Sequence, residues 1–225
     1  MTDTEDRSRA DQTRARLLEA AVVAFAERGF HGSTTRDITS IAGVSTGAIY
    51  VYHRSKEELL YQISHAGHLD TLERVRAAIA SAQDPAEQLV AVMREFTIHH
   101  ARAHTVARII NYELAALSPE HQQEIKETRR AIEGEVRSLI ERGAAAGVFE
   151  NSNIHMAATA LLSLGIDIAR WYRHKGSELV FWAVLSTAYS ARHFSSGGRL
   201  IAAAAGSSAA RSAGRPGNCA SGFRW

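Results

Sequence analysis

The sequence predicts an all-α protein in two parts: a small N-terminal helix-turn-helix unit and a larger helical region behind it. Three observations predict this. Apolar residues recur at three- and four-residue spacing along most of residues 11–194. Capping residues and glycines stand at the ends of those stretches. No alternating run reads as a strand.

The first helix is expected over about Asp11–Arg28, with Leu17, Leu18, Ala21, Val22, Phe25 and Ala26 inward and Gly29 as its C-terminal glycine. Thr34 and Asp37 have capping-box spacing for a short helix whose apolar face is Ile38, Ile41 and Ala42, and Gly43 ends it. After Gly43-Val44, Ser45 is positioned to cap a second short helix through Thr46–Tyr52. Two short helices around a glycine turn, behind a longer one, make a helix-turn-helix at about residues 34–53. Ser55 and Glu58 form a second capping box, opening a long fourth helix to about Ser81.

Beyond it, Asp84-Pro85 reads as N-cap and first helical residue of a segment carrying Leu89, Val92, Met93 and Phe96. A helix over about His104–Leu117 turns Val106, Ile109, Ile110 and Leu114 inward. Ser118-Pro119 opens a long helix to about Ala146, closed by Gly147. The last two helices are expected at Ile154–Arg173 and Ser177–Phe194, the second apolar nearly all round and therefore buried. From Ser195 the chain turns to glycine, serine and alanine without periodicity and reads as a disordered tail, residues 195–225.

Composition excludes several classes. With 45% hydrophobic and 22% charged residues and only 3 prolines, the chain is an ordinary globular protein, and no apolar run reaches membrane-spanning length. The acidic, polar N-terminus carries no secretory signal, so a cytoplasmic location without membrane contact is expected. The lone Cys219 permits neither an internal disulfide nor a cysteine zinc site. The charge balance argues nothing for DNA. Of 26 basic residues, Arg192, Arg199, Arg211, Arg215 and Arg224 follow the last acid, Glu178. That leaves 21 basic against 24 acidic residues before it, a net of −3.

Taken together, Arg16-Leu17-Leu18-Glu19-Ala20-Ala21, Phe25-Ala26-Glu27-Arg28-Gly29-Phe30, Thr34-Thr35-Arg36-Asp37-Ile38, Ala42-Gly43-Val44-Ser45-Thr46-Gly47-Ala48-Ile49-Tyr50 and Ser55-Lys56-Glu57-Glu58-Leu59 closely resemble the tetracycline-repressor (TetR) family over about residues 11–65. The resemblance implies a transcriptional regulator: a homodimer that binds double-stranded operator DNA as a repressor and releases it on binding a small-molecule inducer or co-effector. It implies DNA binding by residues 11–65, ligand binding and dimerisation by residues 66–194, and no cofactor. Thr46–Tyr52 would enter the major groove, with Ser45, Thr46 and Gly47 at its N-terminus, where free amides favour phosphate. Tyr50 would donate to a phosphate. Thr35 and Lys56 would touch the backbone on either side. The DNA contacts so assigned are Thr35, Arg36, Ser45, Thr46, Gly47, Tyr50, Tyr52 and Lys56. On the residues alone, Ile38, Val44 and Ile49 are core, Tyr52 is as readily packed as exposed, and Thr35 serves equally as a cap. Two positions depart from the family: His53 stands where a phenylalanine usually closes the small core, and Thr46 where a basic residue is common. A neutral His53 fits there if its ring nitrogens find partners.

The later region has no motif of that strength. Ile109-Ile110-Asn111-Tyr112-Glu113-Leu114 and Arg170-Trp171-Tyr172-Arg173 resemble members that respond to fatty acyl or acyl-CoA ligands. The ligand contacts expected are Phe96, His100, Ile109, Tyr112, Glu113 and Trp171, with pairing to an arginine as the plainer reading of Glu113. Histidine pairs at His65/His68 and His100/His104 lack the glutamate of H-E-x-x-H and read as solvated or pocket-lining, not metal-binding. No nucleophile–base set, phosphate loop or E-x-x-H pair supports an enzyme; Glu95 and His99 are one residue too far apart for that pair. A helical scaffold would have no use for a polar, glycine-bearing face at Thr46, Gly47 and Tyr50.

Overall fold

A computed structural model describes residues 2–149 and 153–171. Eight α-helices make up the described residues: α1 (Thr2–Gly32), α2 (Thr35–Ala42), α3 (Ala48–Tyr52), α4 (Lys56–Ala80), α5 (Pro85–Arg102), α6 (His104–Tyr112), α7 (Pro119–Ala145) and α8 (Ile154–Trp171). The helix expected at Ser177–Phe194 and the tail 195–225 lie outside the described residues.

Most boundaries follow from the caps. Thr34 and Asp37 close a full capping box: Thr34 Oγ1 accepts from the Asp37 N–H (3.2 Å) and the Thr34 N–H donates to Asp37 Oδ2 (2.8 Å). Gly43 ends α2 at φ 65°, ψ 39°, a conformation a β-carbon would strain. Asp84 Oδ1 accepts the N–H groups of Ala86 (2.9 Å) and Glu87 (3.1 Å) ahead of Pro85, and Ser118 Oγ accepts that of His121 (3.2 Å) ahead of Pro119.

Four expectations are corrected. α1 starts at Thr2, not near Asp11, because residues 2–10 contain no glycine or proline to interrupt it. It leaves helical geometry at Gly29 (φ 69°, ψ 172°) where its end was expected, then runs one short turn further to Gly32. α3 is regular only from Ala48, and Ser45 does not cap it with its side chain; instead the Ser45 carbonyl accepts the Ala48 N–H at 2.9 Å in a tight turn. The Ser55–Glu58 box is half made: Ser55 Oγ accepts the Glu58 N–H (3.0 Å), but Glu58 takes the N–H of Arg54 (2.7 Å) in place of that of Ser55. α6 stops at Tyr112, and a single 3-10 turn, Leu114–Ala116, carries the chain to α7.

The buried side chains form two cores. One gathers Leu17, Phe25, Ile38, Ile49, Leu59 and Leu60 from α1–α4 and extends to Ile109, Ile110, Leu117 and Ile125. The other gathers Leu72, Val75, Leu89, Met93, Leu139 and Leu161 from α4, α5, α7 and α8. The 25-residue α4 belongs to both, so its first half is fastened to the helix-turn-helix and its second to the bundle behind.

Candidate nucleic-acid interface and ligand cavity

The helix-turn-helix is locked by polar contacts that end on backbone carbonyls. Arg16 donates through Nη2 to the Ala42 carbonyl at the C-terminus of α2, where a cation meets the negative end of the helix. Lys56 Nζ donates to the Phe30 (2.5 Å) and Ser33 (2.7 Å) carbonyls and lies 4.2 Å above the Phe30 ring. Burial lowers its pKa. Two of the three N–H donors of its ammonium thus tie α4 to the turn after α1.

His53 follows α3 and is only 2% exposed. Neither ring nitrogen has a hydrogen-bond partner, so the condition for burying it comfortably is not met. Burial pushes its pKa down, against the raising charge of Glu58 and with a lowering one from Arg14. It stands in the core as an uncharged imidazole.

Outward from this frame faces a different set. Arg36, Ser45, Thr46, Gly47 and Tyr50 are exposed, Tyr50 by 62%; Thr35 is half-buried, and Tyr52 packs its ring against the core. Thr34, not Thr35, is the cap of α2. At Gly47 a β-carbon would meet no atom within 4 Å, and φ is −71°, so neither packing nor backbone conformation requires glycine there. The sequence reading missed Val51, 75% exposed, and Arg54, also exposed. Val51 was legible: Gly47, Tyr50 and Val51 stand at i, i+3 and i+4, opposite buried Ile49. With five residues, α3 has little macrodipole, so attraction to phosphate must come from side chains such as Arg36 and Arg54.

Between α4, α5, α6, α7 and α8 lies a cavity of about 290 Å³. Of the residues expected at the ligand, Phe96 and His100 line it. Ile109, Tyr112 and Glu113 do not. Ile109 is buried in the core beneath the helix-turn-helix, and Tyr112 is turned to solvent with its hydroxyl donating to Asp167 Oδ1 at 3.2 Å. Glu113 reaches neither cavity nor arginine: its Oε1 accepts the Phe30 N–H at 3.5 Å, beside Gly29, joining the end of α6 to the end of α1. Trp171 ends α8, and its side chain lies outside the described residues.

The cavity wall holds residues the sequence reading left aside. Ile110, Ile132, Leu162 and Ile166 supply apolar surface, and Lys126, Arg129 and Arg130 supply cations. Arg129 Nη1 donates to Asn111 Oδ1 (2.8 Å) and to His68 Nε2 (3.3 Å). Burial lowers its pKa, though a guanidinium keeps its charge. Burial also pushes both His68 and His100 down to about 4, so each is neutral at neutral pH. A signal existed for Arg129: it falls on the stripe Ile125, Ile132, Val136, whose other members are buried. Among the described residues no group of three or more His, Cys, Asp or Glu is arranged to hold a metal ion, and no helix is long and apolar enough to cross a membrane.

The interface and the cavity meet at a polar joint. Glu57, in the first turn of α4, accepts through Oε1 the Ser118 N–H (2.8 Å) and lies 2.8 Å from His121 Nδ1. Tyr61, one turn on, stacks on the His121 ring (centroids 3.7 Å apart) and donates its hydroxyl to Glu124. That bond pushes the Tyr61 pKa up to about 12. The start of α4 and the start of α7 are thus fastened together.

Comparison with known proteins agrees with this architecture. Residues 17–63 match the bacterial regulatory proteins of the tetR family, and residues 82–179 match the tetracyclin repressor-like C-terminal domain. A solved bacterial regulatory protein in the tetR family from Rhodococcus RHA1 is 36% identical, with a TM-score of 0.75 over 80% of this chain and 95% of that one. The HTH-type transcriptional repressor KstR2 of Rhodococcus jostii is 28% identical over 78% of this chain and 87% of its own length. The fatty acid metabolism regulator protein of Bacillus subtilis is 27% identical over 63% of this chain and 73% of its own length.

Proposed function

The chain belongs to the TetR family of DNA-binding transcriptional regulators, and from that premise we propose that it is a repressor released from its operator by an anionic, largely apolar small molecule. On this reading residues of about 11–65 bind DNA, and residues of about 66–194 bind the ligand and pair two copies. The observation that carries the DNA half is the outward face of α2 and α3. Gly47 is free of any internal need for glycine, Tyr50 and Val51 project beside it, and Arg36 and Arg54 flank them. A bare glycine there lets DNA approach the backbone closely, Val51 can meet a thymine methyl, and the arginines can meet phosphates. The base contacts then come from Thr46, Gly47 and Val51, with Tyr50, Ser45 and Thr35 at the backbone.

The ligand half rests on the cavity, which sets three cations at one side of an apolar chamber. Such a wall suits a fatty acyl chain with an acidic group, as a free acid or a CoA thioester, and a relative named for fatty acid metabolism is in keeping with it. Two copies would present their α3 helices to successive major grooves, about 34–36 Å apart. Ligand binding would change that separation through α4 and so lower operator affinity.

The test is a fluorescence-anisotropy titration against the DNA upstream of the protein's own gene, with excess unrelated competitor. Saturable binding that survives the competitor and is reversed by decanoyl-CoA or decanoate is the expected result. Binding no tighter than to random DNA would overturn the operator assignment, and binding that neither compound reverses would overturn the ligand assignment.

A further inference from the structure

Both histidines in the cavity wall are held in a single tautomer by their own helices. His68 Nδ1 lies 2.7 Å from the Ser64 carbonyl oxygen, and His100 Nδ1 lies 2.8 Å from that of Phe96. A carbonyl oxygen only accepts, so in each ring Nδ1 carries the proton and Nε2 presents a lone pair. Burial keeps both rings from gaining a second proton at neutral pH.

The two lone pairs differ in what they meet. His68 Nε2 accepts from Arg129 at 3.3 Å. His100 Nε2 makes no hydrogen bond among the described residues and opens on the chamber, although the residue as a whole is only 3% exposed; its ring lies on Phe96 with centroids 4.2 Å apart. Two neighbouring polar groups are engaged elsewhere. Asn111 donates to the Ala107 carbonyl (2.8 Å) and accepts from Arg129, and Thr71 donates to the Gly67 carbonyl (2.8 Å). Glu133, the acid of the wall, faces His155 at 2.8 Å. An acceptor that a ligand covers without supplying a donor is costly, and the group that meets it is a neutral donor, because a further cation would be repelled by Lys126, Arg129 and Arg130.

Resting on the reading of this cavity as the site of an anionic apolar ligand, we propose that it selects hydroxylated acyl chains: the ligand hydroxyl donates to His100 Nε2, the acidic group meets Arg129, and the hydrocarbon packs on Phe96, Leu162 and Ile166. The hydroxyl belongs close to the acidic group, since His100 and Arg129 face the same chamber of about 290 Å³. A plain acyl chain would cover the lone pair without satisfying it. Discrimination then comes from the unmet acceptor as much as from the bond formed.

The test uses the full chain and isothermal titration calorimetry with matched pairs: decanoate against 2-hydroxy- and 3-hydroxydecanoate, and decanoyl-CoA against 3-hydroxydecanoyl-CoA, so that free acid and thioester are told apart. The expected result is that at least one hydroxylated compound binds about tenfold or more tighter than its parent, the scale of one buried hydrogen bond. In His100→Phe the parent chain should still bind and the preference should fall to within about twofold. His100→Met serves the same purpose if the phenylalanine variant does not fold. Equal affinities in the wild type, or a preference that survives both variants, would overturn the hydroxyl assignment and leave the acyl reading standing. No binding of any compound would overturn both.

Discussion

The helix-turn-helix and the cavity region are built from the same material, packed helices with polar groups at the seams, yet they use those groups in opposite senses. In the first, the polar contacts at the seams are closed: Arg16 on the Ala42 carbonyl, Lys56 on the Phe30 and Ser33 carbonyls, and, at the surface, Thr34 and Asp37 on each other. The exception is His53. What remains uncovered points outward, at Tyr50, Val51 and Gly47. In the second, unfinished groups point inward, with Arg129 partly committed and His100 Nε2 without a donor. A sealed frame with an unfinished surface suits a rigid partner such as duplex DNA. An open interior with unfinished walls suits a small molecule that completes the packing.

That contrast can be broken at its sharpest point by Gly47→Leu. The added side chain meets nothing within 4 Å and the backbone is in the ordinary helical region, so the melting temperature should stay within a degree or two. Operator affinity should fall by about 100-fold, close to 3 kcal/mol. Anisotropy beside a thermal melt checks both halves; a large loss of stability with unchanged affinity would mean that the face is internal. Lys56→Met reverses the pattern. Leaving two carbonyls without their donor should cost about 2 kcal/mol of stability, read as a lower urea midpoint. A loss confined to DNA affinity would show that Lys56 acts at the DNA and not in the frame.

His53→Phe should act in the stabilising direction by about 1 kcal/mol, since it removes two unpaired ring nitrogens from a site that is 2% exposed. The pH dependence sharpens this. Because the folded pKa of His53 lies below its ordinary 6.5, the unfolded chain binds a proton that the folded chain refuses once the pH drops under that value. Stability is therefore flat above it and declines as pH falls. His68 and His100, each at about 4, extend the same decline. Urea midpoints at about pH 8 and pH 5 should lie closer together in His53→Phe than in the wild type. An unchanged gap would show that His53 is not among the groups responsible.

The two regions were also unequally legible in the sequence. Around the helix-turn-helix the decisive signals lie within a few residues of one another, as with Thr34 and Asp37 or the left-handed Gly43, and local backbone chemistry fixed the turns. The error there was also local: Ser45 supplies a carbonyl where a side-chain cap was expected. The cavity draws its lining from five helices, and no local spacing brings His68, His100, Asn111 and Arg129 together. Tyr112 and Glu113 illustrate the limit. They follow Ile109 and Ile110 in an apolar stretch, but α6 ends at Tyr112, and beyond that point the helical register no longer says where a side chain faces. Arg129 on the buried stripe of α7 was the readable clue.

The joint between the regions yields the smallest expected effect and the most direct test of how they communicate. Glu57 holds the Ser118 N–H and His121 at the start of α7 while sitting in the first turn of the helix that leads out of the DNA-binding frame. If operator binding holds α4 in one position, that joint should become more protected, because coupling between two sites acts equally in both directions. Hydrogen exchange over residues 117–123 should slow when operator DNA is added to the wild type. In Glu57→Ala the same segment should exchange faster and respond little to DNA, while operator affinity changes by less than about threefold, under 1 kcal/mol. Tyr61→Phe removes the bond to Glu124 but keeps the stack on His121, so it should fall between the two. A DNA response in Glu57→Ala as large as that of the wild type would place the coupling elsewhere, and the contact of Glu113 Oε1 with the Phe30 N–H, the other link from the cavity helices to α1, would be the next one to cut.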